Sequence, residues 1–364
     1  MFTVAVGTFT VVTSEMLPVG LLTPIARDLG VSEGTAGLMV GVPGLVAALA
    51  AASLPAAAGR VDRRTVLLSL AGLLIVANAA AALAPSFAVL LAARVLVGVA
   101  IGGFWALAGS VGPRLVPPSA AGRAVAIVTG GVAVASVLGV PAGTFLADRF
   151  DWRWAFGAMA IVAALVLVAL AALLPSLPAD GGARLRDALR SRALRPIMIV
   201  TGLLIAGHFA AYTYVRPVLS GVSDLDPSLL LLAYGAAGIL GNFVLGPRAA
   251  GGARRVLLVM AAGIAVTAPL TAVLGWPALL AWGLAYGGVG VAVQLWVFEA
   301  GARVREAGLA LLTMVFNLAI ALGSVLGGVA VDALSASGAV WLGAGLAVAG
   351  LIVAAAWRRA PEPA

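Results

Sequence analysis

Cysteine and lysine are both missing from this chain of 364 residues, and each absence excludes a class of chemistry. Without cysteine, neither a disulfide bond nor a thiolate metal site can form. Without lysine, there is no Walker A lysine and no Schiff base, so ATP hydrolysis through a P-loop is excluded. The His-Glu-x-x-His motif is also missing, and the single histidine has no obvious nucleophile partner, which argues against a membrane enzyme and implies no cofactor.

Charged residues are scarce as well, at 10% of the chain, whereas hydrophobic residues make up 63%. Soluble domains average roughly 25% charged residues, so this composition indicates an integral membrane protein in the lipid bilayer. The apolar runs lack strict alternation, which favours membrane helices over barrel strands. The net charge of +8 does not indicate nucleic-acid binding, because the arginines cluster in short loops between apolar runs.

The apolar runs predict an all-α membrane protein with twelve transmembrane helices in two pseudo-symmetric six-helix bundles. An arginine-rich polar linker at 175–196 separates an N-terminal bundle (1–174) from a C-terminal bundle (197–364). The sequence Ser-Val-Leu-Gly occurs at 136–139 and again at 324–327, which supports an internal repeat typical of secondary transporters. The predicted spans are 2–26, 35–58, 65–84, 87–112, 122–147, 154–174, 197–219, 228–247, 256–275, 277–298, 308–333 and 338–357.

Arginine also predicts the orientation of the chain. All 22 basic residues are arginine, and most lie in the linker and in loops on the same side of the membrane. The opposite side carries only Arg27, Arg149, Arg153 and Arg216. Since arginine-rich loops stay on the cytoplasmic side, both termini are predicted to be cytoplasmic. The expected location is the inner membrane of a bacterium, and the expected state is a monomer.

Three ionisable side chains within the spans are candidates for proton coupling. Glu15 lies halfway along the first span, where a carboxylate costs roughly 2.5–3.5 kcal/mol. It is predicted to carry protons or, alternatively, to be a hydrogen-bonded structural acid. Arg94 cannot lose its proton, so it is expected either to approach Glu15 or to act as a fixed tether. His208 is expected either to relay protons or to pack against its neighbours; metal ligation is disfavoured because no second histidine exists.

Further residues within the spans are predicted to line a cavity or to pack helices together. Small residues repeat every four positions in the fifth span and again in the eleventh, and are expected to form sliding seams between the two halves. Pro141 predicts a kink, and Asp332 is expected to be solvated. The candidate cavity residues, each with helix packing as the alternative role, are Trp105, Tyr212, Tyr234, Asn242, Gln294 and Asn317. The seam residues are Gly131, Gly139, Gly143, Gly323 and Gly327.

Three stretches resemble motifs of the major facilitator superfamily. Residues 94–102, which begin with Arg94, resemble its buried-arginine motif. Gly131, Gly139, Pro141 and Gly143 resemble its antiporter motif. The loop at 59–64 is similar to a degraded form of the motif between the second and third helices. Its cytoplasmic candidates are Arg60, Asp62, Arg63 and Arg64.

The chain more closely resembles the drug:proton antiporter branch, which contains bacterial arabinose-type sugar, purine-nucleoside and chloramphenicol exporters. The stretches that carry this resemblance are 13–22, 139–144, 151–156 and 207–217. The resemblance implies a proton-coupled secondary efflux transporter of small organic molecules that works by alternating access. It also implies that Glu15 serves coupling and the recognition of cationic substrates. A uniporter, importer or symporter of the same fold and a non-transporting sensor remain alternatives.

Overall fold

The computed structural model describes residues 2–178, 185–299 and 305–357. These residues are helical and contain no strand, and 12 helices among them are long and apolar enough to cross a membrane. The predicted number of spans is therefore confirmed, and their bounds agree to within a few residues. In chain order the spans are α1 (Phe2–Asp28), α2 (Glu33–Ala36 and Leu38–Ala58), α3 (Arg63–Ala82), α4 (Phe87–Arg114), α5 (Ala121–Val134, Ala135–Gly139 and Val140–Arg149), α6 (Trp152–Leu173), α7 (Leu194–Tyr212 and Val215–Ser220), α8 (Pro227–Ala249), α9 (Ala253–Leu274), α10 (Trp276–Tyr286 and Val289–Glu299), α11 (Arg305–Ala333) and α12 (Ala336–Ala356).

The twelve spans pack as two bundles with matching neighbours. In the first bundle α2 packs on α4 and α3 packs on α6, and in the second α8 packs on α10 and α9 packs on α12. The bundles meet where α2 packs on α11 and where α5 packs on α8. The central helices α1 and α7 are the most buried of the spans, so residues on them lie in the interior of the molecule.

The internal repeat is visible in which positions are buried. Leu67 and Leu74 are buried on α3, and Leu257 and Ile264 are buried at the corresponding positions of α9. Helices that follow the same pattern of burial present the same face to their own bundle. The sequence Val-Leu-Leu, which occurs at 66–68 near the start of α3 and at 256–258 near the start of α9, therefore corresponds to a repeated packing arrangement.

The repeat extends to the arginines that begin these helices. The Arg64 guanidinium donates to the carbonyl of Ala171 near the end of α6. Arg254 donates through Nε to the carbonyl of Ala354 near the end of α12, at 2.7 Å. The last carbonyls of a helix have no partner within the helix, and a cation there satisfies them. In each bundle, the same kind of contact therefore joins the start of the third helix to the end of the sixth.

The loop between α2 and α3 holds the start of the linker. Asp62 caps α3 by accepting from the Arg64 amide at 2.7 Å, and it also accepts from the Ser176 hydroxyl and the Leu177 amide. The Ser176 hydroxyl, followed by the Leu177 amide, lowers the pKa of the Asp62 carboxyl. The carboxylate therefore keeps these bonds at neutral pH and loses them only as the pH falls through the lowered pKa. Arg60 is exposed.

Among the described residues, α2, α5, α7 and α10 are each interrupted, and the interruptions of α5 and α10 lie well inside the spans. A π-turn at Ala135–Gly139 interrupts α5 directly before Pro141, whose nitrogen cannot donate to the carbonyl of the preceding turn. The α10 helix is broken at Gly287 and Gly288.

Some predicted cytoplasmic arginines lie outside the described residues: Arg184, Arg303, Arg358 and Arg359.

Candidate functional site

Glu15 lies in the interior of the molecule. It is in the middle of α1, and only 4% of its surface is exposed. Among the described residues, its Oε1 atom has no hydrogen-bond partner, and neither does the hydroxyl of neighbouring Thr13. Buried polar atoms are nearly always paired in folded proteins, so the unpaired Glu15 oxygen indicates a place that a ligand or water fills. Thr13 faces Gly139 of α5 instead, because residues two apart on a helix lie on different faces.

Arg94, on α4, binds the main chain of α1 at Glu15 and the residue before it. It is fully buried, and its Nη1 and Nη2 atoms donate to the main-chain carbonyls of Ser14 and Glu15 at 2.7 and 2.8 Å. Its Nε atom donates to the carbonyl of Met39 on α2 at 2.8 Å. All three bonds go to the main chain, so the geometry favours the fixed tether over a direct pairing of the two side chains. The two opposite charges still interact electrostatically.

An aromatic cluster surrounds His208 in the second bundle. The imidazole is parallel to the Tyr286 ring, with a centroid separation of 3.4 Å and an interplanar angle of 4°. It also stacks on Tyr212 at 5.1 Å and meets Trp282 edge-on at 5.4 Å. Tyr212 in turn stacks on Tyr234 at 4.9 Å. These five residues, from α7, α8 and α10, are called the aromatic cluster below.

Polar atoms in the aromatic cluster lack partners. The Nδ1 atom of His208, the hydroxyl of Tyr234 and the Nε1 atom of Trp282 are buried without a hydrogen-bond partner among the described residues. Leaving such an atom unpaired costs about 1–3 kcal/mol. Three unpaired atoms around one set of rings indicate a site that is completed by a bound molecule.

The acid and the aromatic cluster belong to different bundles but lie beside each other. The Glu15 carboxyl interacts electrostatically with the Tyr286 hydroxyl, across the boundary between the bundles. The next residue, Met16, packs against the hydrophobic core of the second bundle. The candidate site is therefore the region between Glu15 and the aromatic cluster.

The sequence-based hypothesis covered this site only in part. Tyr212 and Tyr234 were predicted to line a cavity, and the structure brings both of them together with His208. Trp282 and Tyr286 were missed. They are four residues apart on α10 and so share a face, as His208 and Tyr212 do on α7, and this spacing was the available signal.

Four other candidate cavity residues lie elsewhere. Trp105 meets Phe104 edge-on at 6.5 Å in the core of the first bundle. Asn317 donates to the carbonyl of Thr313 on its own helix at 2.9 Å, which is a packing role. Asn242 is half-buried on α8 and Gln294 is exposed on α10. Among the described residues, no hydrogen bond or ring contact joins these four to the aromatic cluster.

The prediction that the glycine seams lie between the two halves is wrong. A Cβ atom on Gly139 would contact the side chain of Thr13 on α1, and a Cβ atom on Gly327 would meet the carbonyl oxygen of Ala210 on α7 and lie 2.9 Å from its Cα atom. The same holds for the other seam positions: Gly131 and Gly143 face α1, and Gly323 faces α7. These residues allow close packing within each bundle, because α5 crosses α1 and α11 crosses α7 in the repeat.

The bundles are joined by polar contacts at one end of the molecule, opposite the linker. This end is called the far end. Asp332 on α11 is exposed, as expected, and it also accepts from the Ser32 hydroxyl at 2.7 Å and from the Gly34 amide at 3.0 Å. Arg216 on α7 forms an ion pair with Asp148 on α5 at 2.6 Å. Among the described residues, the hydrogen bonds that cross between the bundles lie at this end, so the far end is closed.

The sequence has relatives over nearly its whole length. The family model of the Major Facilitator Superfamily matches residues 4–307. A protein of Pseudomonas aeruginosa named transcription regulatory protein OpdE is 37% identical, over 90% of this chain and 86% of that protein. The purine ribonucleoside efflux pump NepI of Escherichia coli K12 is 34% identical, over 91% of this chain and 87% of that protein. A NepI pump of Shigella sonnei is equally similar.

Solved structures show the same fold at low sequence identity. A POT family transporter in complex with 5-aminolevulinic acid has a TM-score of 0.77 and 14% identity, with 97% of this chain and 94% of that chain covered. A bacterial homolog of the human lysosomal transporter Spinster, in an inward-facing and occupied conformation, has a TM-score of 0.67 and 17% identity over the same shares. Family, relatives and fold agree with the motifs at Arg94 and in α5, and the predicted resemblance is confirmed. This multi-pass membrane protein belongs to the Major Facilitator Superfamily, a family of transporters and not of enzymes.

Proposed function

We propose that this protein is a proton-coupled antiporter that exports small organic solutes by alternating access, and that purine nucleosides are the first solutes to test. The observation that carries this proposal is the position of Glu15. It is a buried carboxyl with an unpaired oxygen, beside the aromatic cluster of the other bundle. The 34% identity to a pump named for purine ribonucleosides supports the choice of solute.

In the proposed cycle, Glu15 holds a proton or a solute is bound, but not both. The linker face is the cytoplasmic face, so the closed far end is the outer end and solute enters from the cytoplasm. When the site opens outward, Glu15 takes up a proton as the solute leaves. When the site returns inward, the carboxyl gives this proton to the cytoplasm and becomes an acceptor again. The arrangement is expected in the bacterial inner membrane as a monomer.

The free energy available from protons is large enough for this task. One pH unit across the membrane supplies about 1.4 kcal/mol per proton. A membrane potential of 100 mV supplies about 2.3 kcal/mol for each charge that crosses. Either contribution alone supports accumulation of the solute by roughly tenfold or more for each exchanged proton.

The test uses the full chain reconstituted in liposomes with an imposed pH gradient and radiolabelled inosine. We expect the gradient to drive inosine transport and an uncoupler to abolish it. Glu15→Gln removes the exchangeable proton but keeps the shape of the side chain. This variant should lose gradient-driven transport and keep solute–solute exchange.

A matched control is Glu33→Gln. The Glu33 carboxylate accepts from the Thr23 hydroxyl at 2.8 Å near the far end, away from the candidate site, so this variant should remain coupled. The proposal fails if Glu15→Gln still transports inosine with the gradient. Transport by the unaltered protein that persists after the gradient is collapsed would indicate a uniporter instead.

A second candidate function is a membrane sensor that does not transport. It is favoured by the 37% identity to a protein named as a transcription regulator. A sensor predicts that the folded protein in liposomes moves none of the tested nucleosides, sugars, phenicols or dyes, with or without a gradient. Gradient-driven flux of any of these solutes rules this candidate out.

A further inference from the structure

We infer that the Tyr286 ring occupies the place of a flat heteroaromatic base, and that the transported solute displaces it and stacks on His208. This inference rests on the proposed function, since it names the chemical class of solute and the surface that selects it. The site is built by the aromatic cluster, and the solute class is an uncharged nucleoside or nucleobase.

The geometry of the His208–Tyr286 pair is the first argument. Aromatic pairs in proteins prefer offset or edge-on arrangements with centroids 4.5–7 Å apart. A separation of 3.4 Å with an angle of 4° leaves no offset, which is the least favourable arrangement for two such rings. The other ring pairs of His208, with Tyr212 and Trp282, have ordinary separations above 5 Å. The stacking contact itself therefore contributes little to keeping the Tyr286 ring against His208, and a ring that stacks better on the imidazole can compete for this place.

Burial identifies which of the two rings moves. His208 is 1% exposed and Trp282 is fully buried, whereas Tyr286 is only half-buried. Tyr286 is also the last residue before the break in α10. Its side chain can leave by rotation while the face of His208 stays in place.

The unpaired atoms define what the incoming ring must offer. The Trp282 Nε1 atom can only donate, whereas the Tyr234 hydroxyl can donate or accept, and a neutral His208 Nδ1 can do one or the other. A base with acceptor nitrogens and exocyclic groups along its edge satisfies such a mixture. A sugar can form these bonds but has no flat face to stack on the imidazole. The cluster therefore selects for a planar nitrogen heterocycle.

Charge separates nucleosides from nucleotides. No arginine is among the residues of the aromatic cluster, and the guanidinium of Arg94 is already bound to three main-chain carbonyls. The charged group that interacts electrostatically with the cluster is the Glu15 carboxyl, which repels phosphate. A phosphorylated solute would leave its charge unpaired in the interior, so the site should reject it.

The experiment measures equilibrium binding to the purified full chain in detergent, with no gradient present. The probes are inosine, inosine monophosphate and ribose. We expect binding of inosine only. His208→Leu removes the stacking surface and should weaken inosine binding roughly tenfold. Trp282→Phe keeps the ring but deletes the donor and should weaken it about fivefold. Trp276→Phe, on the same helix but exposed at the far end, is the matched control and should bind as the unaltered protein does.

Tyr286→Leu shows whether the solute displaces the Tyr286 ring or whether this ring stays in place and contacts the bound solute. If the base takes the place of Tyr286, this variant binds inosine as tightly as the unaltered protein or more tightly. Weakening to the level of His208→Leu would overturn the inference. Thermal unfolding of each variant shows whether it is folded, and Trp282→Phe provides a second test because it preserves the aromatic packing.

The outcome is separable from that of the proposed function. Inosine binding with the expected variant pattern, but without proton-driven flux in liposomes, supports the site and contradicts antiport. Proton-driven flux of another solute, with no effect of the cluster variants on inosine binding, contradicts the site and leaves antiport in place.

Discussion

The burial of Arg94 can be predicted from the sequence, but the atoms that accept its hydrogen bonds cannot. Its burial in the fourth span follows from its position in an apolar run, and its need for partners follows from its fixed charge. Its actual acceptors are carbonyls of α1 and α2. A planar guanidinium can hold several acceptors at fixed angles, which explains why one arginine can position two helices around Glu15.

At the residue scale we predict that Arg94→Ala destabilises the protein by about 3 kcal/mol or more. The change removes three charge-assisted hydrogen bonds and leaves buried carbonyls without donors. Arg94→Lys should not restore the stability, since an ammonium group lacks the planar fork. The measurement is thermal or chemical unfolding in one detergent.

The control for this prediction is Arg153→Ala. Arg153 pairs with Asp28 at 2.8 Å, but the two side chains are 32% and 45% exposed. Such a pair contributes about 1 kcal/mol or less. Equal losses from the two arginine variants would show that Arg94 is not the tether.

At the scale of single helices, rows of small residues let α5 pack closely on α1 and α11 pack closely on α7. Repeated small residues at every fourth position predict a close helix contact, because they share one face. The identity of the helix on the other side is a property of the whole bundle. Glycine is required where the partner's main chain is the nearest atom, as at Gly327 against Ala210.

At this scale we predict opposite effects for two glycine-to-alanine changes. Gly327→Ala places a Cβ against the Ala210 carbonyl oxygen of α7 and 2.9 Å from the Ala210 Cα atom, and this overpacking should cost about 1–3 kcal/mol. Gly345→Ala, on α12, meets nothing within 4 Å and should leave the stability unchanged or raise it slightly. Melting temperatures of the two variants in the same detergent test this. A melting temperature of Gly327→Ala equal to that of the unaltered protein would contradict the seam.

At the scale of the whole molecule, the two bundles are held closed at one end. Arg216 donates to the Gly20 carbonyl and pairs with Asp148, and Asp332 accepts from the start of α2. A further contact at the same end is the Tyr214 hydroxyl, which lies 3.3 Å from the Gly34 carbonyl of α2 and also donates to the Ser324 carbonyl of its own bundle at 2.7 Å. In an alternating-access protein, breaking such contacts moves the population toward the state in which this end is open.

We therefore predict that Arg216→Ala combined with Asp332→Asn opens the far end. The chain contains no cysteine, so a single Ser324→Cys reports on this interface without background labelling. Ser324 is fully buried between α11 and α2, and its maleimide labelling should be roughly fivefold faster in the combined variant. Arg153→Ala, whose partners lie within the first bundle, should leave the labelling rate unchanged. An equal increase in both backgrounds would mean that these contacts do not close the far end.

Several properties of this protein follow from the order of its residues alone. Long apolar runs determine that it spans a membrane twelve times, because backbone polar groups in lipid must be satisfied within helices. The repeat is also readable, since Leu67 and Leu257 keep the same place in matching helices. Glu15 and Arg94 are evident because charges in hydrocarbon are costly and therefore rare.

Other properties were decided only when the helices came together. The spacing of residues along one helix determines which of them share a face, but not which helix that face meets. Tyr286 joins His208 only because α10 packs beside α7, and Asp332 reaches α2 only because the bundles close at the far end. Contacts between distant segments depend on how all twelve helices fill space at once, and this is why the candidate site required the tertiary structure.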